Sequence, residues 1–149
     1  MKVARSLLAV PATRRKMAEK ALASEADAVF LDLEDAVAPH NKAAARGDVV
    51  AALKELDWCG RPGLYRANAL DTSYFYRDLI EVVERAGGSL DSVMIPKVNR
   101  PEDLYAVSML LSQLELAMDL EKGKIKLEAQ IESAEGLTNV DSIDRKSVV

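Results

Sequence analysis

The sequence predicts an α/β protein with a parallel β-sheet, and three observations support this fold class. Short apolar or β-branched segments alternate with longer segments that have the 3.6-residue spacing of amphipathic helices. No linker, repeat or low-complexity tract interrupts this alternation. Polar residues directly follow the apolar segments, at the strand ends where parallel α/β proteins place their ligand sites. This order indicates parallel strands that are joined by right-handed crossovers.

Five short segments are predicted to be strands that are buried on both faces of the sheet. They cover residues 6–11, 28–33, 63–66, 92–95 and 126–131. Glycine-containing turns at residues 60–63 and 87–88 return the chain to two of these strands.

Three helices are predicted between these strands. The first covers about residues 42–58, the second follows a cap from Asp71, Thr72 or Ser73, and the third begins near Pro101. The apolar residues expected on their buried faces are Ala45, Val49, Ala52, Leu53, Leu56, Tyr76, Leu79, Ile80, Val83, Leu104, Val107, Leu111, Leu114 and Met118.

The composition indicates a soluble domain with a small-molecule ligand. The chain has 149 residues, of which 49% are hydrophobic and 30% are charged. Its formal net charge of -4 disfavours a nucleic-acid partner, because phosphate binding needs a basic face. No segment is apolar for long enough to span a membrane, and the apolar run after Arg5 is too short for a secretion signal. With one cysteine, Cys59, and one histidine, His40, we expect a cytoplasmic protein without a disulfide or zinc cluster.

A (β/α)8 TIM barrel fits the element order better than a doubly wound nucleotide-binding sheet. A doubly wound sheet needs a glycine-rich phosphate loop, and the sequence has neither G-x-G-x-x-G nor a Walker motif. A barrel instead gathers its chemistry at the carboxyl ends of many strands. Eight β/α units need roughly 200 residues or more. We therefore expect either an open sheet or about the first five units of a barrel, with an exposed edge that promotes aggregation.

The second predicted strand ends in three carboxylates, Asp32, Glu34 and Asp35. Like charges at this spacing repel, so a cation, a hydrogen-bond network or water must hold them together. Taken alone, the cluster is more simply interpreted as a solvated loop that precedes the next helix.

Polar residues after the other strands favour a shared site. Arg66 and Asn68 follow the third strand, Lys97 follows the fourth and Glu132 follows the fifth. Parallel strands would bring these side chains and the carboxylates to one mouth. Carboxylates without a histidine or thiolate cluster favour Mg²⁺ or Mn²⁺ over zinc. An arginine beside such a metal can grip a small keto acid, and the two cations could stabilise an enolate.

Four stretches of the sequence resemble a known family. The stretch RSLLAVPATRRKMAEKALASEADAVFLDLEDAVAPHNKAAAR is similar to the amino-terminal signature of the citrate lyase beta-subunit-like proteins, within the HpcH/HpaI aldolase superfamily of CoA-ester lyases. RANALDT, SVMIPKVNRPEDL and LEAQIESAEGL follow in the order and spacing of that family. The resemblance covers about residues 5–143, and it implies a TIM barrel.

The resemblance also implies roles for individual residues. Glu132 matches the glutamate that binds magnesium, and Arg66 matches the arginine that binds the keto acid. Glu34 and Asp35 match acidic residues beside the metal, where we expect them to order its waters. Three further residues are expected to have supporting roles at the barrel mouth: Lys97, Asp32 and Asn68.

The implied activity is a magnesium-dependent carbon–carbon lyase. Family members split a 3-hydroxyacyl-CoA of the malyl-, citramalyl- or citryl-CoA type into an acyl-CoA and a small 2-keto acid, through an enolate of the thioester. A hydroxyacyl-CoA thioesterase on the same scaffold is one alternative, and a non-catalytic barrel subunit is another. The resemblance further implies a homo-oligomer when the protein is complete.

The sequence departs from the family in three places. Ala12 replaces a glycine, which would cost about 1 kcal/mol if the backbone needs a positive φ there. The family's second metal-binding aspartate and its acid/base aspartate lie in regions that have no counterpart here, so we expect a fragment that is itself inactive. Resemblance stops at Ile143, and DRKSVV can be encoded by a sequence like a common sequencing adapter. We therefore assign residues 1–143 to the barrel domain and residues 144–149 to a non-native tail.

Overall fold

A computed structural model describes residues 4–146 of the chain. These residues form five strands and six α-helices, with one helix after each of the first four strands and two helices after the last strand. The strands are β1 (Leu7–Pro11), β2 (Ala28–Asp32), β3 (Leu64–Arg66), β4 (Ser92–Ile95) and β5 (Lys126–Ala129). The helices are α1 (Arg15–Leu22), α2 (Lys42–Glu55), α3 (Phe75–Ala86), α4 (Pro101–Ala117), α5 (Ala134–Thr138) and α6 (Val140–Lys146). Short 3₁₀ turns lie at Pro39–Asn41 and Gly87–Ser89.

The strands form one parallel sheet in the order β1-β2-β3-β4-β5. This arrangement confirms the predicted fold class and all five predicted strands. Asp32 is in register with Pro11 on one side and with Arg66 on the other, and Arg66 is in register with Met94. The carboxyl ends of the strands therefore meet at one edge of the sheet, which is the arrangement of the first units of a (β/α) barrel.

The main core lies between the sheet and the helices that cross it. Val29, Tyr65 and Val93 are fully buried there, and Val49 of α2 and Leu79 of α3 are buried in the same cluster. A smaller cluster contains Phe30, Leu64 and Met94, one residue from each of the three central strands. Because β2, β3 and β4 have a neighbour on each side, they are buried throughout, as predicted.

The two outer strands differ from the prediction that every strand is buried on both faces. Leu7 and Leu8 of β1 are 42% and 41% exposed, and no residue of β5 is fully buried. Each of these strands pairs with one neighbour only, so its other edge lacks a partner in the sheet that the structure describes.

Several predicted helix details are wrong. Helix α3 has Tyr74 at its N-cap without a side-chain cap, and the hydroxyl of Thr72 donates instead to the carbonyl of Ala69. Tyr76 is 49% exposed, because α3 buries the side that carries Leu79, Val82 and Val83. Met118 is half-exposed, since it lies after α4 has ended. Helix α2 ends at Glu55, three residues before the predicted end, because the backbone is extended at Leu56.

The last described helix, α6, contains the buried Ile143 and continues to Lys146, so it crosses the predicted boundary at residue 143. The rest of the predicted non-native tail, residues 147–149, lies outside the described residues. Within residues 4–146, every helix is too short or too polar to cross a membrane.

The exposed leucines of β1 predict concentration-dependent self-association of the 149-residue chain. We expect Leu8→Lys to increase the monomer fraction in light scattering after size exclusion, because a charged edge resists strand pairing. The free energy of unfolding should change by less than about 0.5 kcal/mol. Met17→Lys is the matched control, since Met17 is 50% exposed on α1 and lies away from the sheet edge. An equal effect of the two substitutions would contradict the role of the edge.

Candidate functional site

The acidic segment after β2 is held in place by its first carboxylate. Asp32 is the last residue of β2 and is buried. Its Oδ1 accepts a hydrogen bond from the amide of Glu34 at 2.8 Å, and its Oδ2 accepts one from the amide of Ala36 at 3.1 Å. Side chains that bond to the backbone in this way fix tight turns. The side chain of Asp32 therefore organises the turn that carries Glu34 and Asp35.

Asp32 also forms a two-point ion pair with Arg66 on the neighbouring strand. Nε of Arg66 donates to Oδ1 of Asp32 at 2.9 Å, and Nη2 donates to Oδ2 at 2.7 Å. Both residues are buried, and the Arg66 guanidinium lies 5.6 Å from the centre of the Phe30 ring. The hydrogen bonding of Arg66 to the Asp32 carboxylate is the main reason that the pKa of Arg66 is raised. The guanidinium is therefore permanently charged and has a fixed orientation.

The outer edge of Arg66 has weaker contacts. Nη1 donates to Oε1 of Gln130 at 3.1 Å and lies 3.4 Å from Oε2 of Glu34. Nη2 lies 3.8 Å from Oδ2 of the exposed Asp35. This edge can exchange its partners for the carboxylate of a ligand while the two bonds to Asp32 remain. Gln130 was not predicted, although its position directly after β5, in the stretch that contains Glu132, was a usable signal.

Lys97 joins the carboxylates that follow β2 and β5. Its Nζ lies 2.9 Å from Oε1 of Glu34, and its backbone amide donates to Oε1 of Glu132 at 3.0 Å. Contact with the Glu34 carboxylate raises the pKa of Lys97. The structure thus brings Glu34, Arg66, Lys97 and Glu132 together at one edge of the sheet, and Asp35 borders them.

Glu34 is a buried carboxylate whose close partners are both cations. It is 5% exposed, the ammonium of Lys97 lies 2.9 Å from its Oε1, and the guanidinium of Arg66 lies 3.4 Å from its Oε2. Among the described residues, no backbone amide or uncharged side chain donates to either oxygen. Because cations hold this carboxylate, another cation can take their place.

Asn68 lies behind the cluster, where it bonds to Lys42. Lys42 was not predicted to belong to the site. The amide nitrogen of the buried Asn68 side chain donates to Asp78, and its oxygen accepts a bond from Nζ of Lys42. Lys42 also donates to the carbonyls of Leu33 at 2.9 Å and Glu34 at 2.8 Å. Burial lowers the pKa of Lys42. Lys42 and Asn68 therefore anchor the backbone of the acidic segment, and nothing in the local sequence marks this helix residue as buried.

A second buried ion pair supports this anchor. Nε of Arg46 in α2 donates to Oδ1 of Asp78 in α3 at 2.8 Å, and both side chains are buried. Asp78 Oδ2 accepts the backbone amide of Asn68 at 3.0 Å. Helices α2 and α3 are thereby fixed to the end of β3, immediately behind the site.

A cleft of about 400 Å³ opens beside Glu132. The polar residues that line it come from the segments after β3, β4 and β5: Asp71, Lys97, Asn99, Asp103, Glu132 and Ser133. Its size is typical of small-molecule sites. Glu132 is exposed and lines this cleft, whereas Glu34 and Arg66 are buried and do not line it.

The described residues do not form a complete metal cage. No group of three or more histidine, cysteine, aspartate or glutamate side chains among residues 4–146 is arranged to hold a metal. Mg²⁺ needs only one or two carboxylates when water and ligand oxygens fill its other positions. Glu132 and Glu34 provide carboxylates of this kind.

Ala12 does not have a positive φ, so alanine causes no backbone strain of that kind at this position. Positive φ values at non-glycine residues occur, within residues 4–146, at Cys59, Lys97 and Asp119. Ala12 is buried, and its amide donates to the carbonyl of Asp32 at 3.0 Å. Alanine therefore continues the β1–β2 pairing at this position.

Comparisons with known proteins identify related sequences and structures. The family model described as HpcH/HpaI aldolase/citrate lyase matches residues 5–148. An L-malyl-CoA/beta-methylmalyl-CoA lyase from Cereibacter sphaeroides is 44% identical over 140 residues, which are 92% of this chain and 43% of that protein. A (3S)-malyl-CoA thioesterase from the same species is 35% identical over 139 residues, covering 93% of this chain and 44% of that protein.

The fold is similar to that of solved structures. Protein CitE from Mycobacterium tuberculosis, in complex with magnesium, acetoacetate and coenzyme A, superposes with a TM-score of 0.69 at 29% identity. The match covers 96% of this chain and 45% of the CitE chain. The chain thus spans less than half the length of these three proteins.

The buried ion pair between Asp32 and Arg66 predicts a large stability effect. Asp32→Asn should lower the free energy of unfolding by about 2–4 kcal/mol, because it removes the two-point partner of a buried arginine and leaves only the longer contacts with Glu34 and Asp35. Denaturant unfolding measures this change. Asp35→Asn is the control, since Asp35 is exposed and its contact with Arg66 is longer, at 3.8 Å. We expect a change below about 0.5 kcal/mol there, and equal losses for the two variants would contradict the assignment.

Proposed function

Because this chain belongs to the HpcH/HpaI aldolase/citrate lyase family, we propose that it contributes the keto-acid side of a magnesium-dependent CoA-ester lyase. The reaction cleaves a 3-hydroxyacyl-CoA of the malyl-, citramalyl- or citryl-CoA type to an acyl-CoA and a 2-keto acid, or forms it from them. The observation that carries the proposal is the convergence of Arg66, Glu34 and Glu132 at one edge of the sheet, joined through Lys97.

Arg66 is proposed to bind the carboxylate of the keto acid. Asp32 holds its Nε and one Nη2 hydrogen, so the outer edge of the guanidinium faces the carboxylates and Gln130. An incoming carboxylate can replace Gln130 as the acceptor of the single bond from Nη1, and it can replace the longer contact with Glu34. A planar fork in a fixed orientation favours a planar carboxylate over a phosphate or hydroxyl of the same size.

Glu132 is proposed as a direct ligand of Mg²⁺, with Glu34 and Asp35 holding its waters. The donor set fits this ion, because it consists of hard carboxylate oxygens, and those of Glu34 are held by the cations Lys97 and Arg66 rather than by uncharged donors. Mn²⁺ is expected to substitute, since it accepts the same oxygen ligands. When bound, the metal would offset negative charge on the oxygens of the keto acid and the enolate.

The charge balance of the cluster supports a divalent cation. Asp32, Glu34, Asp35 and Glu132 are carboxylates, whereas Arg66 and Lys97 are the cations that contact them. An anionic keto acid would add to the excess of negative charge. Binding of such a ligand therefore requires additional positive charge at the site.

The CoA thioester is proposed to enter through the cleft beside Glu132. This cleft opens from the exposed face of Glu132 and Ser133 toward solvent. The lyase relative is named for CoA esters, and the CitE structure contains coenzyme A. We propose further that residues 1–143 form the first units of a longer barrel, whose other units supply a second ligand and the acid/base group, and that the complete protein is a homo-oligomer.

A thioesterase is the second candidate, because one relative at 35% identity is a (3S)-malyl-CoA thioesterase. Both reactions need a bound hydroxyacyl-CoA, and they differ in the bond that breaks. A lyase converts malyl-CoA to acetyl-CoA and glyoxylate, whereas a thioesterase releases free CoA and intact malate. Mass spectrometry of the products from any longer form of the protein distinguishes these outcomes.

Calorimetric titration of pyruvate, glyoxylate and oxaloacetate tests the proposal on the 149-residue chain. We expect binding that requires Mg²⁺, at least about tenfold weaker in Arg66→Met because a charged hydrogen-bonded contact is lost. Glu132→Gln should bind the keto acid no more tightly with Mg²⁺ than without it, because the proposed metal ligand is lost. Glu135→Gln is the matched control, since Glu135 is exposed nearby and pairs with Arg100 instead. Circular dichroism should show that each variant is folded. Equal binding by Arg66→Met, Glu132→Gln and the unchanged chain would refute the site.

A further inference from the structure

Lys97 has an unusual backbone conformation for a residue with a long side chain. Its φ is +55°, in the left-handed region that costs a non-glycine residue roughly 1–2 kcal/mol. Strain of this kind persists where the surrounding structure enforces it, and it occurs preferentially at functional sites. The residue lies between β4 and α4, at the edge where the carboxylates of the cluster meet.

This conformation allows Lys97 to contact two carboxylates with two different groups. The backbone amide donates to Glu132 at 3.0 Å, and the ammonium lies 2.9 Å from Glu34. The first contact is neutral and does not depend on the side chain at position 97. The second places a full positive charge beside the buried carboxylate of Glu34, whose other close cation is Arg66 at 3.4 Å.

The two partners of the Glu34 carboxylate differ in their freedom to move. Arg66 is buried and is held by two hydrogen bonds to Asp32. The side chain of Lys97 is 54% exposed, so its ammonium can rotate into solvent at little cost in desolvation. Glu34 is 6% exposed in its side chain and cannot follow it.

We propose that the ammonium of Lys97 competes with a divalent cation for Glu34 and thereby sets the metal affinity of the site. The Lys97 amide keeps Glu132 in place in both cases, so the ammonium alone exchanges with the metal. This inference rests on the proposed function, because it requires that the ion binds between Glu34 and Glu132. The competition provides a threshold: the site gains a metal only when the free ion is abundant enough to displace an internal cation.

Calorimetric titration of Mg²⁺ into the chain, Lys97→Met and Lys97→Gly tests this competition. We expect both variants to bind Mg²⁺ about fivefold more tightly, the size expected when one exposed competing charge is removed. Glycine relieves the positive φ and keeps the amide that holds Glu132, whereas methionine keeps the backbone strain. Equal gains in the two variants assign the effect to the ammonium. A gain in glycine alone would assign it to the backbone and would overturn the proposal.

Arg100→Met is the matched control for general electrostatics. Arg100 lies three residues after Lys97, its side chain is 66% exposed, and it pairs with Glu135 rather than with Glu34. We expect its Kd for Mg²⁺ to stay within about twofold of the unchanged chain. A gain equal to that of Lys97→Met would show that net charge alone is responsible, which would overturn direct competition.

Lysine labelling gives a readout of the ammonium itself. Acetylation of Lys97 by an N-hydroxysuccinimide ester, quantified by mass spectrometry, should increase when Mg²⁺ is added to the unchanged chain. Glu34→Gln should increase the labelling without any metal, because it removes the ion-pair partner. Labelling of Lys97 that responds to neither change would overturn the proposal.

The outcomes separate this inference from the function on which it rests. If Glu132→Gln binds Mg²⁺ as the unchanged chain does, the proposed metal ligand is wrong. If Glu132→Gln loses binding while Lys97→Met binds as the unchanged chain does, the ligand holds and the competition is refuted. Binding by Lys97→Met when the unchanged chain shows none would be the strongest support. Absence of binding in every variant would refute both.

Discussion

The two-point ion pair between Asp32 and Arg66 is the interaction on which the rest of the site depends. It crosses the pairing of β2 and β3, where the two residues are in register, and it satisfies both carboxylate oxygens and two guanidinium nitrogens. The same carboxylate caps the turn that carries Glu34. One aspartate thus fixes the direction of the arginine and the position of the acidic segment. Without this partner, the buried arginine would keep only the longer contacts with Glu34 and Asp35.

The cluster has two layers with different roles. Behind the strand ends, Lys42, Asn68, Asp78 and Arg46 form a buried chain of charge-assisted hydrogen bonds that ties α2 and α3 to the sheet. In front of it, Glu34 and its neighbours retain contacts that a ligand can replace. The fully bonded layer holds the backbone, so the partners of the Glu34 carboxylate can change while the acidic segment stays in place. Stability and binding capacity are therefore assigned to different residues of one network.

The sequence predicted the sheet and the convergence of the site because both follow from periodic patterns. Apolar segments with helices between them determine a parallel sheet, and parallel strands place Arg66, Lys97 and Glu132 at one edge. Other features depend on tertiary contacts that no local pattern contains. Burial of Lys42 requires the carbonyls of Leu33 and Glu34, which are supplied by a different segment. The exposure of β1 and β5 follows from their place in the sheet order, and the left-handed φ of Lys97 accompanies contacts with two carboxylates from distant segments.

A crystal structure of the 149-residue chain with Mn²⁺ and pyruvate would show whether Glu132 binds the metal and Arg66 binds the keto acid, because the anomalous signal of manganese locates the metal independently of the protein coordinates. We expect an anomalous peak in contact with the Glu132 carboxylate, with the pyruvate carboxylate on the outer edge of Arg66 and the bonds from Arg66 to Asp32 retained. A peak at Asp71 or Asp103 in the cleft, with Arg66 still bonded to Gln130 and no pyruvate beside it, would refute both roles.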